Sequence, residues 1–160
     1  SQMQNKGQLI ALDIYESKLK KLKKRARRNG VHNVETRVID SNKVIKKLHN
    51  SADRVLLDAP CSGLGVIKRN PDSKWKLEPE FVDRIMGVQQ DILQNYSKMV
   101  KKGGQMVYAT CSILPQENSE QVKTFLASEN GKEFEFVKER NVFASETGFD
   151  GFYMALLKRK

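Results

Sequence analysis

Short runs of consecutive apolar residues alternate along the chain with longer stretches in which apolar residues recur every three or four positions. The short runs are typical of buried strands, and the longer stretches are typical of amphipathic helices. The runs predict strands at 8–13, 34–39, 54–58, 105–109, 134–138 and 151–157. The helical spacing predicts helices at 16–29, 43–48, 80–100 and 115–128. This alternation predicts an α/β fold with a largely parallel sheet, and 160 residues suffice for one domain.

Two local signals refine these elements. The strand at 54–58 contains Val55, Leu56 and Leu57 in a row, which predicts a strand that is covered on both faces. Glycines are predicted to end two helices, with Gly30 after the first and the pair 103–104 after the third.

Chemically active side chains fall where the predicted strands end. Asp13, Asp40 and Asp58 each end a strand, and Cys111 lies two residues beyond another. Ligands gather at the carboxyl ends of parallel strands, so these residues predict a site at one edge of the sheet. Each acid, taken alone, is equally well explained as a helix N-cap.

The two cysteines, Cys61 and Cys111, both follow strands in turn-forming segments. A free cysteine is often only a small buried apolar residue. However, Cys111 precedes a predicted helix start at Pro115, and a helix N-terminus favours the reactive thiolate. If the sheet edge is a site, we expect the two sulfurs to lie close together without a disulfide. The chain has no CxxC pair and only two histidines, so we predict neither a metal site nor a disulfide scaffold.

Positive charge is concentrated in the first part of the chain. The net charge is +10, and residues 1–50 hold 13 of the 29 Lys and Arg but 4 of the 19 Asp and Glu. The predicted helix at 16–29 has a narrow apolar stripe and a cationic outer face, which is either a solvated surface or a phosphate-facing patch. The longest apolar run, 152–157, is far too short to span a membrane, and residues 1–7 lack the apolar segment of a secretory signal. A cytoplasmic protein is therefore expected.

Four segments together resemble the Sun-type (Fmu/Sun) RNA cytosine-5 methyltransferases. They are DAPCSGLG at 58–65, IKRNPDSKW at 67–75, YATCSILPQEN at 108–118 and GFDGFYMALLKR at 148–159. The order and spacing of ALD at 11–13 and VID at 38–40 also fit that family. The resemblance implies a Rossmann-like fold that uses S-adenosylmethionine to methylate C5 of a cytosine in RNA.

The resemblance also implies a role for each candidate residue. Cys111 is the nucleophile that adds to C6 of the cytosine, and Cys61 helps to release the product by taking the proton from C5. Asp58 lies between cofactor and base and hydrogen-bonds the cytosine edge. Asp13 holds the ribose hydroxyls of the cofactor, and Asp40 lies on its adenine side.

The same resemblance implies an RNA partner whose target cytosine is single-stranded or flipped out of a duplex. Lys68, Arg69 and Lys74 in the long loop after the strand at 54–58 are then expected to face RNA phosphates. Trp75 is either a stacking surface or a packing residue, and packing is favoured.

The chain departs from the family pattern at its beginning, because the family's first strand and glycine-rich cofactor loop precede the segment matched by 11–13. We therefore expect 1–160 to be a single, partial catalytic domain. Unpaired strand edges beside the missing strand are expected to favour self-association. An alternative is an inactive RNA-binding fragment of such an enzyme. A thiol redox protein is disfavoured by the wide separation of the two cysteines in sequence.

The expected absence of the glycine-rich cofactor loop leads to a prediction about cofactor binding that can be tested on this chain alone. Losing several hydrogen bonds to the cofactor, each worth about 0.5–1.5 kcal/mol, weakens binding by several powers of ten at about 1.4 kcal/mol per decade. We expect calorimetry to detect no binding of S-adenosylmethionine, and a methylation assay to detect no activity. Micromolar binding by a monomeric, well-folded chain would contradict this expectation.

Overall fold

The computed structural model describes residues 3–160, apart from the side chains of Lys74 and Lys76. Its contacts divide the chain into two units, Ser1–Lys47, described from residue 3, and Leu48–Lys160. The expectation of a single domain stays a prediction. The RNA contact expected of Lys74 lies outside the described side chains.

The first unit is a strand, helix, strand segment followed by a short helix. Its elements are β1 (Leu9–Asp13), α1 (Glu16–Arg28), β2 (Val34–Val38) and α2 (Asn42–Lys46). The two strands pair in parallel, with Asp13 opposite Val38. Leu19 of the apolar stripe of α1 is buried, whereas Leu22 is 38% exposed and the lysines and arginines of the helix are exposed. Gly30 has φ +65°, and the N–H of Val31 donates to the carbonyl of Ala26, which confirms the expected glycine end of this helix.

The second unit is a four-stranded mixed sheet with two longer helices. In chain order its elements are β3 (Ala52–Asp58), α3 (Ser73–Lys76), α4 (Pro79–Tyr96), β4 (Val100–Thr110), α5 (Ser119–Ala127), β5 (Phe134–Val142), α6 (Ala144–Thr147) and β6 (Phe152–Arg159). The sheet order is β3-β4-β6-β5, in which β3 and β4 are parallel and both pairings of β6 are antiparallel. The predicted α/β fold is confirmed. Within residues 3–160, no helix is long and apolar enough to cross a membrane.

The core of this unit forms where side chains of the sheet meet α4 and α5. Its fully buried members include Leu93 of α4, Phe125 of α5, Met106 and Tyr108 of β4, and Leu157 of β6. The apolar runs of β4 and β6 thus supply the sheet side of this core, as their sequence pattern predicts.

Two expectations are wrong, one about the end of a helix and one about a strand. The predicted helix at 80–100 ends at Tyr96, and the glycines expected to close it lie inside β4. Gly103 has φ +76° and the register between β3 and β4 shifts beside it, so these glycines accommodate an irregularity in the strand pair. In β3, Leu56 is 70% exposed whereas Leu57 is buried, so this strand is covered on one face rather than on both.

We expect Phe125→Ala to lower the free energy of unfolding by about 3–5 kcal/mol, because a large, fully buried ring leaves a cavity. Urea denaturation followed by circular dichroism measures the change. Phe149→Ala is the matched control, since the Phe149 ring is 76% exposed and its loss is expected to change stability little. Similar losses from both substitutions would contradict the described core.

Candidate active site

The parallel pairing of β3 and β4 brings the two cysteines together. Asp58 ends β3 opposite Ala109, and the N–H of Ala59 donates to the carbonyl of Ala109 at 2.9 Å. The loops after the two strands therefore leave the sheet side by side. Their sulfurs, Sγ of Cys61 and Sγ of Cys111, lie 3.3 Å apart as free thiols. This confirms the expected proximity of the two cysteines.

The contact between the sulfurs separates the acidities of the two thiols. A hydrogen bond from Cys61 lowers the pKa of Cys111 to about 7, although partial burial opposes this shift. The same hydrogen bond raises the pKa of Cys61, and burial raises it further. At neutral pH a large fraction of Cys111 is therefore thiolate, and Cys61 is the thiol that donates to it. The thiolate is the nucleophilic form of cysteine.

Asp58 lies at the same edge of the sheet and is exposed. Its negative charge opposes ionisation of Cys111 and is one of the smaller causes that raise the pKa of that thiol. The carboxylate is open to a ligand, but its expected contact with a cytosine edge stays a prediction.

Close contact between backbones locks the loop of Cys61 against the segment before β6. The N–H of Gly65 donates to the carbonyl of Cys111 at 2.9 Å, and the N–H of Gly151 donates to the carbonyl of Gly65 at 2.7 Å. A Cβ on Gly65 would lie 2.1 Å from the carbonyl oxygen of Gly151, so only glycine fits at this crossing. Three of the four segments that carry the family resemblance meet here.

The structure places some of the basic residues that are expected to face RNA phosphates. Arg69 forms an ion pair with Asp150 at 2.7 Å, which ties the long loop to the segment before β6. Lys68 is exposed, and its expected contact with RNA stays a prediction, as does that of Arg69. Trp75 is 81% exposed, so the favoured expectation that it is a packing residue is wrong. It belongs to the four-residue helix α3, which is too short to bury a large ring by itself.

A buried acid that the sequence analysis missed lies behind the cysteines. Glu117 is fully buried, and its carboxylate accepts hydrogen bonds from Ser62 and Ser112, the residues that follow the two cysteines. Gln89 of α4 donates to the same carboxylate at 3.1 Å. The available signal was the repeated Cys-Ser pair followed by an acid in the turn before α5.

In the first unit, Asp13 ends β1, and Asp40 lies two residues beyond the end of β2. The N–H of Ile39 donates to the carbonyl of Asp13 at 3.0 Å, which holds the two strand ends together. Asp13 Oδ1 accepts the N–H of Tyr15 at 2.8 Å, and Asp40 Oδ1 accepts the hydroxyl of Ser41 at 3.0 Å. The second oxygen of Asp13 lies 3.7 Å from Nζ of the exposed Lys18. Carboxylate oxygens accept hydroxyls and amines, which are the donors of a nucleoside. Their cofactor roles stay predictions.

Comparison with known proteins points to one family. A family model described as 16S rRNA methyltransferase RsmB/F matches residues 1–158. The ribosomal RNA small subunit methyltransferase B of Yersinia enterocolitica is 40% identical over 164 residues, which cover 96% of this chain and 37% of that protein. Its counterpart in Proteus mirabilis is 36% identical over 156 residues, which cover 97% of this chain and 36% of that protein. The chain thus spans little more than a third of the length of these relatives.

Solved structures agree with the sequence matches. The crystal structure of PH0851 superposes with a TM-score of 0.90 at 31% identity, over 98% of this chain and 38% of that one. The structure of NSun6 from Pyrococcus horikoshii with SFG superposes with a TM-score of 0.83 at 27% identity, over 97% of this chain and 42% of that one.

The difference in pKa between the two thiols leads to a prediction for chemical labelling. We expect iodoacetamide to modify Cys111 with a midpoint at about pH 7, because the thiolate forms as the pH rises through its pKa. Cys61→Ala is expected to raise that midpoint, since it removes the hydrogen bond that favours the anion. Peptide mass spectrometry as a function of pH reports each site separately.

The reciprocal variant is the control. Cys111→Ala removes the partner that holds the proton on Cys61, so labelling of Cys61 is expected to begin at lower pH than in the unmodified chain. Identical midpoints for the two thiols in the unmodified chain would contradict the assignment of the thiolate to Cys111.

Proposed function

We propose that this chain, which belongs to the 16S rRNA methyltransferase RsmB/F family, carries the reacting groups for methyl transfer from S-adenosylmethionine to C5 of a cytosine in RNA. The observation that carries the proposal is the 3.3 Å contact between two thiols of unequal acidity. A protein that only binds RNA has no use for such a pair.

Cys111 acts first in this proposal. The carbon C5 of cytosine is a poor nucleophile, and covalent addition at C6 divides one difficult step into two easier ones. A sulfur lone pair of Cys111 forms the bond to C6, and the electrons of the C5–C6 double bond make C5 nucleophilic. A pKa of about 7 keeps a large fraction of Cys111 in the attacking form at neutral pH.

Cys61 acts second, and the adduct itself prepares it. The hydrogen bond to Cys111 and the negative charge there are both causes of the raised pKa of Cys61. Once the Cys111 sulfur is bonded to carbon, it is no longer an anion, so both influences weaken. Cys61 can then release its own proton to solvent and, as the thiolate, take the proton from methylated C5. The electrons of that C–H bond re-form the C5–C6 double bond and expel the Cys111 thiolate.

The cofactor supplies the methyl group when it is bound. We assign Asp13 to its ribose hydroxyls, Asp40 to its adenine side and Asp58 to the region between cofactor and base. The carboxylates at the ends of β1 and β2, which can accept hydroxyl and amine donors, support this assignment. The relative from Pyrococcus horikoshii was solved with SFG, an S-adenosylmethionine analogue, which also supports it.

The RNA partner is the less specific part of the proposal. We propose that the target cytosine is single-stranded or flipped out, because a stacked base is out of reach of a thiol at a sheet edge. Lys68, Arg69 and Lys74 are assigned to nearby phosphates, with Arg69 held in place by Asp150. The relatives are named for ribosomal RNA, which supports an rRNA substrate and a cytoplasmic location. The position of β3 as an outer strand of the four-stranded sheet supports self-association through unpaired strand edges.

We expect substitution of the two cysteines to have different effects on methylation and on the covalent RNA adduct in the protein that contains this chain. Cys111→Ala abolishes methylation and any covalent RNA adduct, because no thiol attacks C6. Cys61→Ala traps the protein on RNA, because addition and methylation proceed while release stalls. Denaturing gel electrophoresis with labelled RNA detects the adduct, and tritium transfer from S-adenosylmethionine measures methylation.

Thr124→Ala, a small polar truncation on the exposed face of α5, is the control and is expected to retain activity. Equal and mild losses from both cysteine substitutions would contradict the assignment. Retained RNA binding with no methylation by the unsubstituted protein would favour the alternative of an inactive RNA-binding fragment.

A further inference from the structure

Both cysteine loops bind the same buried side chain. The N–H of Ser62 donates to Oε1 of Glu117 at 2.7 Å, and the Ser62 hydroxyl donates to Oε2 at 2.5 Å. The Ser112 hydroxyl also donates to Oε2. Ser62 directly follows Cys61 and Ser112 directly follows Cys111, so one carboxylate holds the residue next to each sulfur.

We propose that Glu117 is a positioning residue that sets the separation of the Cys61 and Cys111 sulfurs by fastening their loops to one carboxylate. The proposal rests on the proposed function for its biological meaning. It concerns a residue that touches neither sulfur and that lies beneath the loops in the core.

The position of Glu117 requires a side chain that accepts hydrogen bonds and donates none. The groups that point at the carboxylate are one backbone N–H, two hydroxyls and the side-chain amide of Gln89, and each of them donates. An ionised carboxylate has about four lone-pair sites and no proton, so it accepts all four donors. Gln89 also donates to the carbonyl of Pro60 at 2.9 Å, which fixes its amide group facing the acid.

The other end of Glu117 is anchored to β4, which makes the connection rigid. The Tyr108 hydroxyl donates to the Glu117 carbonyl at 2.8 Å. The neighbouring Asn118 accepts the Thr110 hydroxyl at 2.5 Å and donates to the Ser112 carbonyl at 3.0 Å. The position of the carboxylate is therefore set by the strand that Cys111 directly follows.

The position of Glu117 and its negative charge have opposite effects on the pKa of Cys111. Three ionisable groups act on its thiol, namely Cys61, Asp58 and Glu117. The hydrogen bond from Cys61 favours the thiolate, whereas the negative charges of Asp58 and Glu117 disfavour it. If Glu117 acted only through its charge, removing it would lower the pKa of Cys111. If Glu117 holds the sulfurs in contact, removing it loosens the Cys61 hydrogen bond and raises that pKa.

The test is the pH profile of Cys111 alkylation in Glu117→Ala and Glu117→Gln, measured on the chain without RNA or cofactor. Glu117→Ala is expected to raise the midpoint by about one pH unit, which is the size of a lost hydrogen bond to a charged group. Glu117→Gln retains an acceptor oxygen for Ser62 and an amide facing hydroxyls that can also accept. It is therefore expected to keep the midpoint at or below that of the unmodified chain.

A midpoint that is unchanged or lowered in Glu117→Ala overturns the proposal. Glu120→Ala, an exposed acid three residues further along, is the matched control and is expected to leave the midpoint unchanged. If Glu117→Ala fails to fold, the paired substitution Ser62→Ala with Ser112→Ala replaces it. That variant is expected to raise the midpoint, and an unchanged midpoint overturns the proposal.

A second readout connects the positioning role to catalysis. In the protein that contains this chain, Glu117→Ala is expected to lower kcat at least tenfold with little change in KM for RNA, and Glu117→Gln is expected to restore most of kcat. A rise in KM alone overturns the proposal. If the unsubstituted protein forms no adduct and transfers no methyl group, the proposed function fails, whereas the alkylation profiles still decide the role of Glu117.

Discussion

The candidate site depends on the parallel hydrogen bonding between β3 and β4. Parallel strands end at the same edge of a sheet, so the residues that follow them emerge as neighbours although the chain separates them widely. The pairing of Asp58 with Ala109 sets the register that brings Cys61 within 3.3 Å of Cys111. A slip of this register by one residue would turn the side chains of β3 to the opposite face and separate the loops.

Beneath this edge, a polar network replaces the apolar packing found elsewhere in the unit. A buried carboxylate is costly unless donors surround it, and Glu117 has donors from both cysteine loops and from α4. Such a network specifies one arrangement, because any other leaves a buried charge unpaired. Apolar side chains would tolerate sliding of the loops, whereas the proposed reaction requires two sulfurs held close together.

The sequence was most informative where periodicity and strand ends coincide. The strands and longer helices follow from apolar spacing, and the proximity of Cys61 to Cys111 follows from their places after two strands. Glu117 escaped notice because its partners are distant in sequence and an acid in a turn is ordinarily exposed. Gly103 was misassigned because a glycine that ends a helix and a glycine in a strand irregularity look alike in sequence. The exposure of Leu56 was missed because an apolar run does not reveal that a strand is covered on only one face.

The crossing of Gly65 and Gly151 makes the loop of Cys61 depend on a strand that is distant in the chain. Gly151, immediately before β6, donates its N–H to the carbonyl of Gly65, and β6 lies between β4 and β5 in the sheet. A contact between such distant parts of the chain costs loop-closure entropy, which the pairing of β6 with both of its neighbours helps to offset. Displacement of β6 from the sheet would therefore release the loop of Cys61 while leaving the hydrogen bonds between β3 and β4 in place.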